Sequence, residues 1–314
     1  MYDTINFTLY SVDAPDISFL EETSIYLTNK NYCILENGIS YIRGDMDNFT
    51  VLCYPDRVRV KGGSLARFYF GNNLSTLNRA TTAKVISKLS DRLHLPMEKA
   101  IVNRMDIGEN IITKHPPSCY LSHLGSLNYA NRLMQPNGLY YNKSDWLQLV
   151  FYDKIKEYKK HGSLTLPPLY EGRNLLRYEL RLKKRLPHLL NMREVRAKDL
   201  YSKITYIKVL KLWKFWYEQI EKINDTTINF ENMRTKKDLY KMGIIALVDK
   251  VGGYNEFVED LKNAQKLGAI NKKQAHDIRE AVKDACNTDN AIVVPNANIN
   301  ELSGKIKQAV AYFR

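Results

Sequence analysis

Leu175-Leu-Arg-Tyr-Glu-Leu-Arg-Leu-Lys183 alternates apolar and charged residues from Leu176 onward. A period of two is the signature of a β-strand with one face buried. It sets Leu176, Tyr178, Leu180 and Leu182 against a core and Arg177, Glu179 and Arg181 on the opposite side. Two other segments carry charge or hydroxyl in the same manner. Val102-Asn-Arg-Met-Asp-Ile-Gly108 brings Arg104 and Asp106 to one face, and Leu147-Gln-Leu-Val-Phe-Tyr-Asp-Lys154 brings Tyr152 to the side of Lys154. If the three share a sheet, one face collects two carboxylates, a tyrosine and several cations. That is the inventory for metal-assisted attack by a tyrosine on a phosphodiester.

Around these strands the chain reads as α+β: a mainly antiparallel sheet covered by helices, with a C-terminal helical appendage. Within the first 70 residues, Thr4–Tyr10, Tyr32–Leu35, Thr50–Tyr54 and Ser64–Phe70 are β-branched or aromatic runs between Gly, Asn and Asp clusters. A helical period runs from Thr81 to Leu95, with Val85, Ile86, Leu89 and Leu93 on one side and Pro96 after its end. Thr113 to Pro136 reads as loop with some helix, and Gly138–Asn142 and Asp145–Asp153 as a strand pair. His161-Gly-Ser-Leu-Thr-Leu-Pro-Pro-Leu169 is a break. Ile204, Ile207, Leu210, Trp213, Trp216 or Tyr217, and Ile220 outline a long amphipathic helix with Lys208, Lys211 and Lys214 off its apolar stripe. Further on, Thr235-Lys-Lys-Asp238 reads as a capping box, Gly252-Gly253 and Gly268 as helix ends, and Asn255 and Asn271 as caps. The expected division is a catalytic domain over 1–200 and a helical region over 201–314.

The net charge of +13 points to a polyanionic partner. From Lys143 to Lys214 there are 18 Lys/Arg against 7 Asp/Glu, so most of the excess surrounds the second and third strands. Thr235 to Arg314 is nearly balanced, with 13 Lys/Arg and 10 Asp/Glu, and reads as a docking or dimerisation module. DNA is the expected partner, since phosphate contacts supply most non-specific affinity. No membrane-spanning run or signal-peptide pattern is present, so a cytoplasmic protein is expected. Cys33, Cys53, Cys119 and Cys286 lack metal-ligand spacing and read as reduced thiols in or near the core.

Tyr2-Asp-Thr-Ile, Ser64-Leu-Ala-Arg-Phe-Tyr-Phe-Gly-Asn72, Asn103-Arg-Met-Asp106, Phe151-Tyr-Asp-Lys154 and Leu176-Arg-Tyr-Glu-Leu-Arg181, in this order, resemble the phage and plasmid replication initiators of the gene II/X type. The set is also similar to the trans-acting Rep proteins of rolling-circle plasmids, and spans roughly residues 1 to 220. The resemblance implies an initiator that nicks one strand of a double-strand origin, holds the 5′ end on a tyrosine and later rejoins the strand. It makes Tyr152 the nucleophile, with Tyr140 and Tyr141 as fallbacks, and Asp106 and Glu179 the carboxylates for Mg2+ or Mn2+. None of the six histidines has another two residues away, so the His-x-His metal triplet of many rolling-circle nucleases is absent.

Chemistry adds Lys154 and Arg177 as the cations a tyrosine nucleophile needs. Arg104, Arg181, Lys208, Lys211 and Lys214 are the candidate DNA contacts, on duplex origin and single strand. Host helicase and polymerase are candidate partners, and a homodimer a candidate assembly. Other readings stay open: salt bridges from Asp106 and Glu179 to Arg104 or Arg177, a hydrolytic nuclease in which Tyr152 only packs, or a non-catalytic origin-binding protein.

Overall fold

The computed structural model describes residues 1–160, 166–223, 225–228, 235–286, 291–294 and 296–313. Its centre is a ten-stranded antiparallel sheet built from β1 (Tyr2–Tyr10), β2 (Thr28–Ile34), β3 (Ser40–Met46), β4 (Phe49–Cys53), β5 (Arg57–Lys61), β6 (Ile101–Thr113), β7 (Asn131–Gln135), β8 (Gly138–Lys143), β9 (Leu147–Asp153) and β10 (Asn174–Leu182). The spatial order is β2-β3-β4-β5-β1-β6-β10-β9-β8-β7, so the three strands of the sequence argument lie side by side in the middle. Helices α1 (Leu65–Phe70), α2 (Arg79–Leu93), α3 (Ser118–Leu121), α4 (Lys154–Lys160), α5 (Leu186–Leu190) and α6 (Lys203–Glu218) accompany the sheet. The α+β expectation holds.

Two layers of side chains follow from strand parity. On one face Tyr178 of β10 stacks on Phe151 of β9 with centroids 4.5 Å apart, and Trp213 of α6 stacks on Tyr178 at 4.8 Å. Tyr178 donates its hydroxyl to the Trp213 carbonyl at 3.0 Å, so the buried phenol is satisfied. Phe68 of α1 meets Phe49 of β4 edge-on at 5.4 Å on the same face. The other face carries the polar rows. Near one end it is closed by a small apolar cluster of Leu74, Tyr158 and Leu175 that seats α4.

Several local expectations are corrected. Ser64–Phe70 is not a strand: Ser64 caps α1 by accepting from the Arg67 amide at 3.2 Å, and Gly71 ends it at φ 76°. Leu-Ala-Arg-Phe-Tyr-Phe holds no β-branched residue, and its helix propensity prevails. In α6 the buried stripe is Thr205, Tyr206, Val209, Leu210, Trp213, Trp216 and Tyr217, while Ile204 is 73% exposed, a rotation of about one position. Strands β3, β5 and β7 occupy stretches read as connections, and Cys119 is exposed. Of the break at 161–169, residues 161–165 lie outside the described residues.

The chain divides into two compact units. The first comprises 1–121, 127–220 and 302–314, so the expected boundary at residue 200 falls inside it. The second comprises 122–126 and 221–301. It holds α7 (Lys236–Lys250), α8 (Tyr254–Lys266), α9 (Lys272–Cys286), a two-stranded ribbon of β11 (Asp225–Ile228) and β12 (Ala291–Val294), and the start of α10 (Ala297–Phe313). The Thr235/Asp238 capping box forms as expected, and Asn271 and Gln274 cap α9 reciprocally. Gly253, rather than Asn255, is the N-cap of α8. No helix among the described residues is long and apolar enough to cross a membrane.

Candidate active site

Register brings the predicted residues together. Arg177, Glu179 and Arg181 of β10 lie opposite Asn110, Gly108 and Asp106 of β6 on one side, and opposite Tyr152, Val150 and Gln148 of β9 on the other. Glu179 is at the centre. Its Oε1 accepts from Arg177 Nε at 2.5 Å and from the Tyr152 hydroxyl at 2.8 Å. Its Oε2 accepts from Arg181 Nε at 2.9 Å and Nη2 at 2.7 Å. Asp106 receives a bidentate pair from Arg104, Nε to Oδ1 at 3.0 Å and Nη2 to Oδ2 at 2.7 Å. Arg181 lies between the carboxylates, its Nε 4.0 Å from Asp106 Oδ2.

Arg177 is 3% exposed, and each of its three nitrogens donates a hydrogen bond. Besides Glu179, it donates Nη1 to Asn110 Oδ1 at 2.9 Å and Nη2 to Asp3 Oδ2 at 2.5 Å. Asn110 in turn donates to the Leu74 carbonyl at 2.8 Å, tying this network to the apolar cluster. Gly108 is the position that lets the chains cross β6. A Cβ there would lie 2.9 Å from Glu179 Cγ and 3.0 Å from Arg177 Nη2.

Lys154 does not continue the strand, because β9 ends at Asp153 and Lys154 opens α4. It still reaches the site: 1% exposed, it lies 5.7 Å from the Tyr152 ring centroid and pairs with Glu157 at 2.7 Å. Tyr140 lies on the site's face, opposite Val150, whereas Tyr141 is buried on the core face opposite Leu149. Lys208, Lys211 and Lys214 are not brought to the site. Their helix covers the opposite face, where Lys208 donates to the Leu190 carbonyl and Lys214 pairs with Glu218. Asp3, Asn110, Gln148 and Glu157 were not singled out from sequence. Asn110 was within reach, since it continues the Arg104, Asp106, Gly108 series by two. Asp3 was hidden by the irregular register of β1 between Tyr2 and Ile5.

Burial sets the electrostatics. It pushes the Tyr152 hydroxyl well above its ordinary range, against the pull of Arg177, so the resting hydroxyl is protonated. Burial also raises the Asp106 carboxyl, partly offset by Arg104, and lowers Lys154, which Arg177 lowers further. At Glu179 burial pushes upward too, but Arg177 and Arg181 outweigh it and hold the carboxyl at about 2.

This donor set fits a hard cation only in part. A carboxylate offers about four lone-pair sites. Those of Glu179 are filled by four donors, whereas Asp106 keeps two and the buried Asp3 Oδ1 accepts no hydrogen bond. Arg181 and Arg104, with side chains 28% and 33% exposed, are the cations an incoming phosphate can reach. Among the described residues no group of three or more His, Cys, Asp or Glu stands ready to hold a metal.

Residues 1–205 match the family described by the N-terminal region of the phage replication-associated protein of the gene II type. The chain belongs to this family. The matched span contains every residue of the polar network and ends inside α6, so the replication-associated family signature and the site coincide in sequence. The match supports the resemblance to phage rolling-circle initiators. A search of curated proteins finds no match.

Proposed function

We propose that the chain initiates rolling-circle replication of a phage genome in the host cytoplasm by nicking one origin strand through Tyr152 and later rejoining it. The observation that carries this reading is the Tyr152 hydroxyl, 2.8 Å from Glu179 and beside Arg177 on the polar face of the sheet. In the first step the Tyr152 oxygen bonds to phosphorus, the bond to the 3′ oxygen breaks, and the tyrosine proton ends on that oxygen as the priming 3′ hydroxyl. Glu179 orients the O–H. Arg177 and Lys154 stabilise the developing phenolate, and their burial makes each charge count more than it would in water.

Asp106 and Glu179 are the residues that would hold Mg2+ or Mn2+, which when bound polarises the scissile phosphate. Glu179 has room for this role only when Arg181 leaves it, and the phosphate is the natural new partner for that guanidinium. Duplex origin and displaced single strand are the nucleic acid partners of this reading. Host helicase and polymerase, and a second copy of the chain, complete it.

The test is covalent capture on a supercoiled plasmid carrying the cognate origin. The wild-type chain yields a protein–DNA adduct that survives denaturation, and Tyr152→Phe yields none while binding the origin within a few fold. An undiminished adduct in Tyr152→Phe sends the search to Tyr140, which shares the face. Cleavage without any adduct in the wild type establishes hydrolysis instead.

A further inference from the structure

The polar face does not stop at Arg104. Beyond β1 it continues over β5, β4 and β3 into a concavity of about 420 Å³. Arg43, Arg59, Lys61 and Arg104 line it together with Tyr41 and Tyr54, and no carboxylate does. Arg43, Arg59 and Lys61 are exposed, and none has a carboxylate within 4.0 Å among the described residues. Asp45, on the same face of β3, is outside the lining and accepts from Asn29 at 3.1 Å. Tyr41 stacks on Tyr54 with centroids 4.9 Å apart, and the Arg57 guanidinium lies over the Tyr54 ring at 4.4 Å.

We infer that this groove is a binding track for single-stranded DNA that leads into the candidate active site. Three exposed cations beside the half-buried Tyr41 ring, which is backed by the buried Tyr54, are the chemistry of a single-strand groove: phosphates find the cations, and an unpaired base finds the Tyr41 ring. A duplex would use the cations and leave Tyr41 idle. Arg104 joins groove to site, since it lines the first and holds Asp106 in the second. From β5 to β10 there are three interstrand steps, about 14 Å at the usual spacing. That distance takes roughly four nucleotides of a stacked strand at about 3.4 Å per phosphate. The direction of the track towards Tyr152 rests on the proposed nicking function; the binding of the strand does not.

The experiment uses the full chain and a short fluorescein-labelled oligothymidylate, with anisotropy measured across a salt series. In the triple variant Arg43→Ala, Arg59→Ala, Lys61→Ala, the slope of log affinity against log salt becomes shallower by about 2, from three lost contacts at about 0.7 each. The variant melts like the parent, because all three side chains are exposed. If it melts early, Arg59→Gln alone replaces it, with an expected loss of about 0.7. An unchanged slope in a variant that melts normally overturns the inference. So does a slope that flattens on a duplex probe while staying unchanged on oligothymidylate. Because the readout is binding, a chain that forms no covalent adduct leaves the groove standing, and an intact adduct beside an unchanged slope removes the groove alone.

Discussion

At the scale of single residues, the polar network owes its geometry to an absence. Gly108 faces Glu179 across the β6–β10 pair, and a methyl group there meets Glu179 Cγ at 2.9 Å. That carbon cannot swing away, because both oxygens of its carboxylate are held. Gly108→Ala is expected to cost about 1–3 kcal/mol by overpacking and to reduce adduct formation, checked by chemical denaturation and the capture assay. Glu179 also ties stability to acid. Its folded value of about 2 lies below the ordinary 4.5, so its contribution is complete above about 4.5 and is lost as pH falls towards 2. Glu179→Gln should therefore be less stable than the parent at neutral pH and lose less across that window, read from denaturation midpoints. Asp106, raised by burial, has the opposite sign: its share is present at low pH and is lost as pH rises through its folded value.

At the scale of elements, α6 and the polar rows lie on opposite faces of the sheet. A strand lying on the site therefore cannot also touch Lys208, Lys211 and Lys214. Replacing these three together is expected to leave the salt slope for oligothymidylate unchanged, and any duplex contact they make appears as a flatter slope on duplex alone. Charge counting found the basic stretch from Lys143 to Lys214, because it is contiguous in the chain. It passed over Arg43, Arg59 and Lys61, which only pairing across β3, β4 and β5 assembles. The strands β6, β9 and β10 were legible because alternation writes their two faces directly, whereas their common sheet is supplied by the pairing of β10 with both neighbours. Ser64–Phe70 misled because aromatic content suggested a strand, whereas the Ser64 cap and the Gly71 terminator determine a helix. Ser64→Ala should cost about 1 kcal/mol through the lost cap, measurable as a lower midpoint of unfolding.

At the scale of the molecule, the first unit is discontinuous in sequence. Leu302, Ile306 and Val310 of α10 are buried, Ser303 is 2.8 Å from the Tyr217 hydroxyl, and Lys305 donates to the Ile112 carbonyl. A chain ending at residue 301 is thus expected to melt earlier than the full chain, since it uncovers apolar side chains worth about 1.5–3 kcal/mol each when fully buried. Calorimetry compares the two. The double duty of β10 reaches further still. Tyr178 belongs to the stack with Phe151 and Trp213, while its neighbours Arg177 and Glu179 belong to the polar network with Tyr152. Loss or gain of one residue within Asn174–Leu182 would exchange those roles together, driving a guanidinium under Trp213 and turning the phenol out to water. Variation in this strand therefore proceeds by replacement, and a change of length keeps the two faces only where a bulge absorbs it, as the register shifts of β1 against β6 do.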